Sequence, residues 1–319
     1  MEDENDNFTL SSDINGPLLA AVISIEMIGG LIANSFVLIL TTCHIKTWKQ
    51  PSTIFLTNML ISNLLMVLFV MPFSIVTCSS GQWLLGDTVS QKEASCKANA
   101  YINMSICIIV TLSLVLLSFD RYFFIVKSFA YEQHMTPNKA VIIIIVSWIL
   151  GLGLSSPPLY GLGMTEFSDS YGICIPAFEN EPGLAIYFLV MTFTFISSIV
   201  ITSTWTFCYA RDYLKKRNTR RNRRDSVYLT QRRKLIGLFG ALIIVHIICY
   251  FLFLAIALIA PFLPLPQQTY AATCVLIFLS TILTPLVQVY FRCEVRDTIS
   301  SWCVRIGLLK RNVERDQEL

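Results

Sequence analysis

The chain has 319 residues, 54% of them hydrophobic and 14% charged, with a formal net charge of +3. A soluble domain carries nearer a quarter charged residues. The composition therefore excludes a pair of soluble domains and points to a polytopic bundle of membrane-spanning helices. Several of the ten cysteines, among them Cys107, Cys208 and Cys249, lie inside apolar runs and are expected to be small packing residues rather than a disulfide framework.

Residues 1–16 are acidic and polar, the pattern of a disordered tail. The start lacks a basic leader, so the first apolar run is expected to serve as its own anchor. Asn7-Phe8-Thr9 is a glycosylation acceptor triplet, usable if this end is extracellular and otherwise a chance match. Asn103-Met104-Ser105 fits the same triplet but lies inside an apolar run. Such runs follow at about 17–43, 53–77, 97–127, 138–160, 183–210, 235–260 and 269–290. The turn between the last two is marked by Pro261-Phe-Leu-Pro-Leu-Pro. Segments after the odd-numbered runs, with the tail from residue 292, hold 22 of the 24 Lys and Arg residues. The positive-inside rule then predicts an extracellular amino terminus and a cytoplasmic carboxyl terminus. Acidic residues gather on the opposite face, either as an attractor of cations or as a plain solvated surface.

The third run is the most informative. From Ala98 to Phe119 it contains no Asp, Glu, Lys or Arg. Cys96 and Arg121 are 25 residues apart, about 37 Å of helix, which puts the cysteine at one water boundary and Asp120-Arg121-Tyr122 at the other. That arrangement resembles the third span of the rhodopsin-class seven-helix receptors that couple to G proteins. Asn34, Trp83, Trp148 and Pro285 match further landmarks of the family, and the resemblance covers about residues 17–305.

The resemblance implies an all-α transmembrane seven-helix bundle with a short amphipathic surface helix. The chain divides into a tail at 1–16, a receptor domain at 17–290, and a surface helix and cytoplasmic tail at 291–319. It implies a Cys96–Cys174 disulfide across the bundle mouth; separately, Cys78 and Cys274 lie near the outer side and are candidates for a second bridge. It also implies a coupling face of Asp120, Arg121, Tyr122 and Tyr209, the last meeting the arginine. The ligand cavity maps to Asn103, Met104, Cys107, Tyr250, Phe253, Leu254 and Phe278, with Cys274 beside them. Asn103 stands where amine receptors carry an aspartate, which disfavours a monoamine. No lysine lies between 235 and 291, which excludes a retinal Schiff base.

Departures from the family pattern concern the core switch, formed by Asn34, Asn63, Thr111, His246 and Pro285. Asn63 replaces a buried aspartate that holds sodium, and the partner positions are Val110 and Thr284, so no internal sodium site is expected. Tyr250 and Leu252 replace the sixth-span tryptophan and proline, Ile201 the fifth-span proline, and Gln288 the seventh-span tyrosine. Without proline the fifth and sixth spans should be straighter. His246 is expected to face Thr111 and Ile201, either as a neutral bonded residue or as a proton-sensitive switch. Glu26 is open between facing the ligand cavity, snorkelling and staying protonated. Arg232 occupies the place of an acidic clamp on Arg121, which suggests ligand-independent signalling.

On the basic side, Ser226 follows Arg223-Arg224-Asp225 and fits a kinase site. Arg292–Arg305 reads as an amphipathic helix, with Cys303 the palmitoylation candidate and Cys293 a weaker one. Ser62-Asn63, Pro157-Pro-Leu-Tyr-Gly and Cys174…Glu181-Pro-Gly are similar to the cilium-associated orphan branch of the family that restrains Hedgehog signalling. The expected setting is the plasma membrane or a ciliary membrane. The expected partners are an unknown extracellular ligand, a heterotrimeric G protein and the lipid bilayer, with no nucleic acid and no cofactor. Alternatives are a chemosensory receptor working through the same face and a receptor-like scaffold that no longer signals. A transporter or channel would need repeat symmetry or charged spans. No paired-carboxylate, nucleophile–base or metal-ligand motif suggests an enzyme.

Overall fold

The computed structural model describes residues 8–43, 50–177, 182–218, 223–259, 263 and 265–305, with the side chains of 213–236, 257–258, 293 and 302–305 left aside. Among the described residues, seven helices are long and apolar enough to cross a membrane. The first span is α1 (Gly16–Cys43). The second is split into α2 (Pro51–Phe69) and α3 (Met71–Ser80). The third is α4 (Val89–Val126), followed by a short α5 (Ser128–His134). The fourth, fifth, sixth and seventh are α6 (Pro137–Leu154), α7 (Pro182–Asn218), α8 (Arg223–Ile259) and α9 (Gln267–Phe291). The surface helix is α10 (Cys293–Arg305).

Local chemistry places several boundaries. Thr88 caps α4, its hydroxyl accepting from the Gln91 N–H at 3.3 Å, and Thr136 caps α6 by accepting from Lys139 N–H at 3.3 Å. Proline stands at the first turn of α2 and α6, where its missing N–H costs nothing. Pro72, two residues past the break at Val70, removes a ladder hydrogen bond and divides the second span. The fourth span ends at Leu154 rather than near 160, because Pro157 and Pro158 start a one-turn 3₁₀ helix over Pro157–Tyr160. The fifth and sixth spans run on as helix to Asn218 and from Arg223, so much of the basic 211–234 segment is helix rather than loop. Neither has a proline in its described interior apart from the first residue of α7, Pro182, and both are continuous.

The third span is the hub. In its apolar window 67% of residues are buried within the protein, against 17% for the fourth and fifth spans. It packs on the second, fourth, fifth and sixth spans and on both strands of a hairpin. That hairpin is β1 (Thr165–Ser168) paired antiparallel with β2 (Ile173–Pro176), with Phe167 opposite Cys174. Gly172, at φ +64°, makes its turn. Two cores stack along the bundle axis. One, near the hairpin, joins Ile23, Val70, Met71, Ile106, Cys274 and Phe278. The other, near Arg121, joins Phe55, Met59, Leu114, Leu117, Phe239 and Leu242.

The described part of the tail, residues 8–15, departs from the expected disorder. Residues 8–15 lie along the hairpin end of the bundle, where Thr9 forms an antiparallel bridge with Gln82 and Phe8 is 6% exposed. Acidic composition argued for solvation, but Phe8 and Leu10 give the segment an apolar face, and the bundle offers a place to bury it.

Candidate functional site

At the hairpin end, Cys96 and Cys174 are joined, closing a separation of 78 residues. The bridge sits in a cluster with Phe8, Trp83 and Ala100. Trp83 is held from its polar edge by Nε1 donating to Ser95 Oγ at 2.9 Å. Cys78 and Cys274 do not form a second bridge. Both are buried thiols, and Cys274 Sγ donates to the Tyr171 carbonyl at 3.6 Å.

In the middle of the bundle, a set of buried amides joins neighbouring helices. Asn34 Nδ2 donates to Gly30 O and Thr281 O, each at 2.7 Å, stitching the first span to the seventh. Gly30 permits that approach, since a Cβ there would lie 2.7 Å from Thr281 Oγ1. Asn63 Nδ2 leans toward Asn34 Oδ1 at 3.4 Å. Where an aspartate would need a cation, the amide has a neighbouring amide, with Val110 and Thr284 at the other positions. Asn58 donates to Ser113 Oγ at 2.7 Å and accepts from Trp148 Nε1 at 2.8 Å, tying the second, third and fourth spans. Pro285 is buried inside α9.

His246 stacks on Tyr250 with ring centroids 4.1 Å apart. Its expected neighbours need correcting. Ile201 is 59% exposed and turns to the bundle exterior, and the Thr111 hydroxyl donates to Cys107 O at 2.9 Å instead of to the histidine. A one-residue rotation on an apolar helix changes its face without changing its composition, which is why sequence placed Ile201 inward. Of the expected ligand residues, Asn103 and Phe278 are buried, and Met104, Cys107, Tyr250, Phe253 and Leu254 are half-buried. Phe278 and Cys107 belong to the hairpin-end core, whereas Met104 packs with Ile108, Leu112, Leu184 and Phe188 between the third and fifth spans. Met104 also lines a crevice with Tyr101, Ser155 and Pro158. The structure therefore divides these residues between two faces of the third span. Glu26 is 5% exposed, and its Oε2 is buried with no hydrogen-bond partner, near the Cys249 and Cys274 thiols. It has not snorkelled.

At the other end, Asp120 and Arg121 are both buried and ion-paired. Arg121 Nε donates to Asp120 Oδ2 at 3.1 Å, and Ser52 Oγ donates to the same oxygen at 2.9 Å. Tyr131 of α5 donates its hydroxyl to Asp120 Oδ1 at 2.7 Å. Burial, and then the Asp120 charge, push the Tyr131 hydroxyl well above the usual tyrosine range. The Arg121 guanidinium lies 5.4 Å from the Phe124 ring. Tyr122 lies tilted beside Trp205 with ring centroids 6.2 Å apart, while Tyr209 is 44% exposed and makes no bond to Arg121. The expected Tyr209–Arg121 meeting is absent because the arginine is already engaged by Asp120.

A second polar set closes this end. Gln288 is fully buried, and its Nε2 donates to Leu56 O at 3.4 Å. Arg292 Nη1 reaches Thr41 Oγ1 at 3.0 Å and Gln288 Oε1 at 3.3 Å. Burial, partly offset by Glu294, draws the Arg292 guanidinium below its ordinary pKa. Sequence reasoning missed Ser52, Tyr131, Thr41 and Arg292. Ser52 lies 68 residues from Asp120 and Tyr131 11 residues from it across the turn into α5, and only folding of these segments brings them near. Asn7 and the side chains of Ser226, Arg232, Cys293 and Cys303 lie outside the described residues.

Residues 33–288 match the family described as 7 transmembrane receptor (rhodopsin family). The chain is 26% identical over 188 residues to G-protein coupled receptor 161 of Mus musculus, covering 59% of this chain and 33% of that protein. It is 27% identical over 231 residues to Melanopsin-A of Danio rerio, covering 68% of this chain and 36% of that one. It thus spans about a third of the length of these curated relatives. The crystal structure of squid rhodopsin superposes with a TM-score of 0.73 at 18% identity, covering 96% of this chain and 90% of the other.

Proposed function

The chain belongs to the rhodopsin family of seven-transmembrane receptors, and from that premise we propose that it passes an extracellular signal to a heterotrimeric G protein through Arg121. As a member of this family it is a multi-pass membrane receptor and not an enzyme.

The observation that carries the coupling reading is the Asp120 carboxylate shared by Arg121, Ser52 and Tyr131. A buried ion pair is weak evidence for stability. It is a fitting element for a switch, since releasing the arginine breaks bonds that one neighbouring group, the G protein, can replace. The charge bias supports a cytosolic Arg121 end and an outer hairpin end. Asn103 offers no negative partner for an ammonium group, so the ligand is not a monoamine. A lipid-like or neutral molecule suits the apolar and aromatic character of the expected ligand residues. Expression without ligand should raise a second messenger, because Arg232 stands where an acidic clamp would stand.

Cyclic AMP and calcium are read in ligand-free cells carrying wild type or Arg121→Ala at equal surface density. Coupling predicts that Arg121→Ala abolishes the wild-type signal. A wild-type signal that survives the substitution refutes the assigned role. The scaffold reading draws on the Gln288–Arg292–Thr41 latch, which pins the seventh span where a mobile tyrosine is usual. Silence of both proteins favours it.

A further inference from the structure

We propose that residues 8–15 are a tethered plug, latched by Phe8, that gates access of water-soluble molecules to the interior of the bundle. The gate is read from contacts and solvent access alone. It stands whether or not the chain couples to a G protein.

The plug is attached at four places on three separate parts of the bundle. Next to the second span, Leu10 N–H donates to Gly81 O at 2.8 Å, and Trp83 N–H donates to Phe8 O at 2.9 Å. On the hairpin, Ser11 N–H donates to Asp169 O at 3.1 Å. At the start of the seventh span, Gln268 Nε2 donates to the Asp13 carbonyl at 2.8 Å. The three backbone–backbone bonds among them carry no sequence preference. The latch is the Phe8 side chain. Its ring lies 6.3 Å from that of Phe167, against the cluster that holds Trp83 and the Cys96–Cys174 bridge. The Lys92 ammonium stands 5.8 Å from the ring centroid on another side.

What lies beneath gives the plug something to guard. Leu10 Cδ1 and Cys78 Sγ stand 3.2 Å and 3.0 Å from the point where a Cβ on Gly172 would be. Only glycine, at φ +64°, lets the hairpin turn sit between them. The neighbouring Tyr171 carbonyl receives the Cys274 thiol. The order inward is therefore plug, hairpin turn, then the two thiols Cys78 and Cys274, which belong to the hairpin-end core. Ile14 packs on that same core. The α1 start is pressed equally close, with a Cβ on Gly16 falling 2.3 Å from Cys78 O. A solute from the aqueous side reaches these thiols only after the plug and hairpin turn part.

The test uses the full-length receptor in lipid nanodiscs, where both faces meet solvent and membrane orientation does not enter. The probe is a charged methanethiosulfonate, and its rate of attachment to Cys274 and Cys78 is read by peptide mass spectrometry. Cys43, exposed at the far end of α1, is the internal reference. In the wild type both thiols should react far more slowly than Cys43. Phe8→Ala should speed them by roughly ten- to a hundredfold, the change in opening that loss of one buried phenyl group implies. An intact Cys96–Cys174 peptide and unchanged size-exclusion profile establish that this variant is folded. A second variant keeps Phe8→Ala and re-anchors the segment covalently. Thr9 and Gln82 form a bridge flanked by hydrogen bonds 8–83 and 10–81, the close-spaced pair that suits a disulfide. Thr9→Cys with Gln82→Cys, added to Phe8→Ala, should restore protection to the wild-type level. The proposal is overturned if Phe8→Ala labels at the wild-type rate, if the wild type labels as fast as Cys43, or if the staple leaves the fast rate unchanged.

Discussion

Tyr131→Phe is the sharpest perturbation of the Arg121 end. It deletes one oxygen and leaves the ring, which packs edge-on against Phe124 at 5.3 Å. Asp120 loses the donor on Oδ1 at 2.7 Å and keeps Ser52 and Arg121 on Oδ2. A hydrogen bond to a buried charge contributes about 1.5–3 kcal/mol. Each 1.4 kcal/mol is a factor of ten in population. If the bond exists only while Arg121 is held, the released state gains roughly ten- to a hundredfold. A released state at about 1% of molecules then rises to about 10% or more. The assay is ligand-free second-messenger production at matched surface density, with Ser52→Ala beside it and Arg121→Ala as the zero. Both substitutions should raise the basal signal, and adding Arg121→Ala should remove the rise. An unchanged or lower signal in Tyr131→Phe, at equal surface level, refutes the restraint. The same bond has a definite pH sign. Because the Tyr131 hydroxyl is shifted upward, its contribution is complete below the ordinary tyrosine value near 10 and fades as pH rises from there through the raised value. Between about pH 6 and 8 the wild type and Tyr131→Phe should therefore keep a constant ratio of basal signals.

Three further substitutions follow from the geometry. Trp148→Phe leaves Asn58 Oδ1 without its buried donor at 2.8 Å, and should cost about 1–3 kcal/mol, seen as a lower midpoint in thermal unfolding of the purified receptor; an unaltered midpoint counts against the tie. Cys174→Ser opens a loop closed over 78 residues, worth about 4.5 kcal/mol in the chain-entropy account, and surface expression should fall steeply. Glu26→Leu removes a buried acid with an unpartnered oxygen and should raise the unfolding midpoint, because desolvating such a group costs about 1–3 kcal/mol. A lower midpoint would show that the carboxyl is bonded in the folded receptor.

Much of the candidate site was legible because it depends on one-dimensional facts. The spacing of Cys96 to Arg121 follows from helix rise, and Asp-Arg at a helix end follows from the cost of charge in hydrocarbon. Pro72 and Pro157 were visible as letters, but their effect on span boundaries needed the neighbouring backbone. Ser52, Tyr131, Thr41 and Arg292 were illegible, since nothing local marks a hydroxyl as the partner of a carboxylate 68 residues away, as Ser52 is for Asp120. The Ile201 error has the same root. In an apolar helix all faces read alike, and only the neighbours decide which is inside.

By itself the sequence determined seven apolar helices, their order, the charged end of the third and the basic bias between the two sides, because lipid forces every backbone group to be satisfied within its own helix. Only the tertiary structure decided which face each helix buries, which loop donors reach Asp120, and that residues 8–15 would fold back over Trp83 and the hairpin. Those outcomes depend on packing between segments far apart in the chain, and burial of Phe8 outweighs the solvation its polar neighbours would otherwise favour.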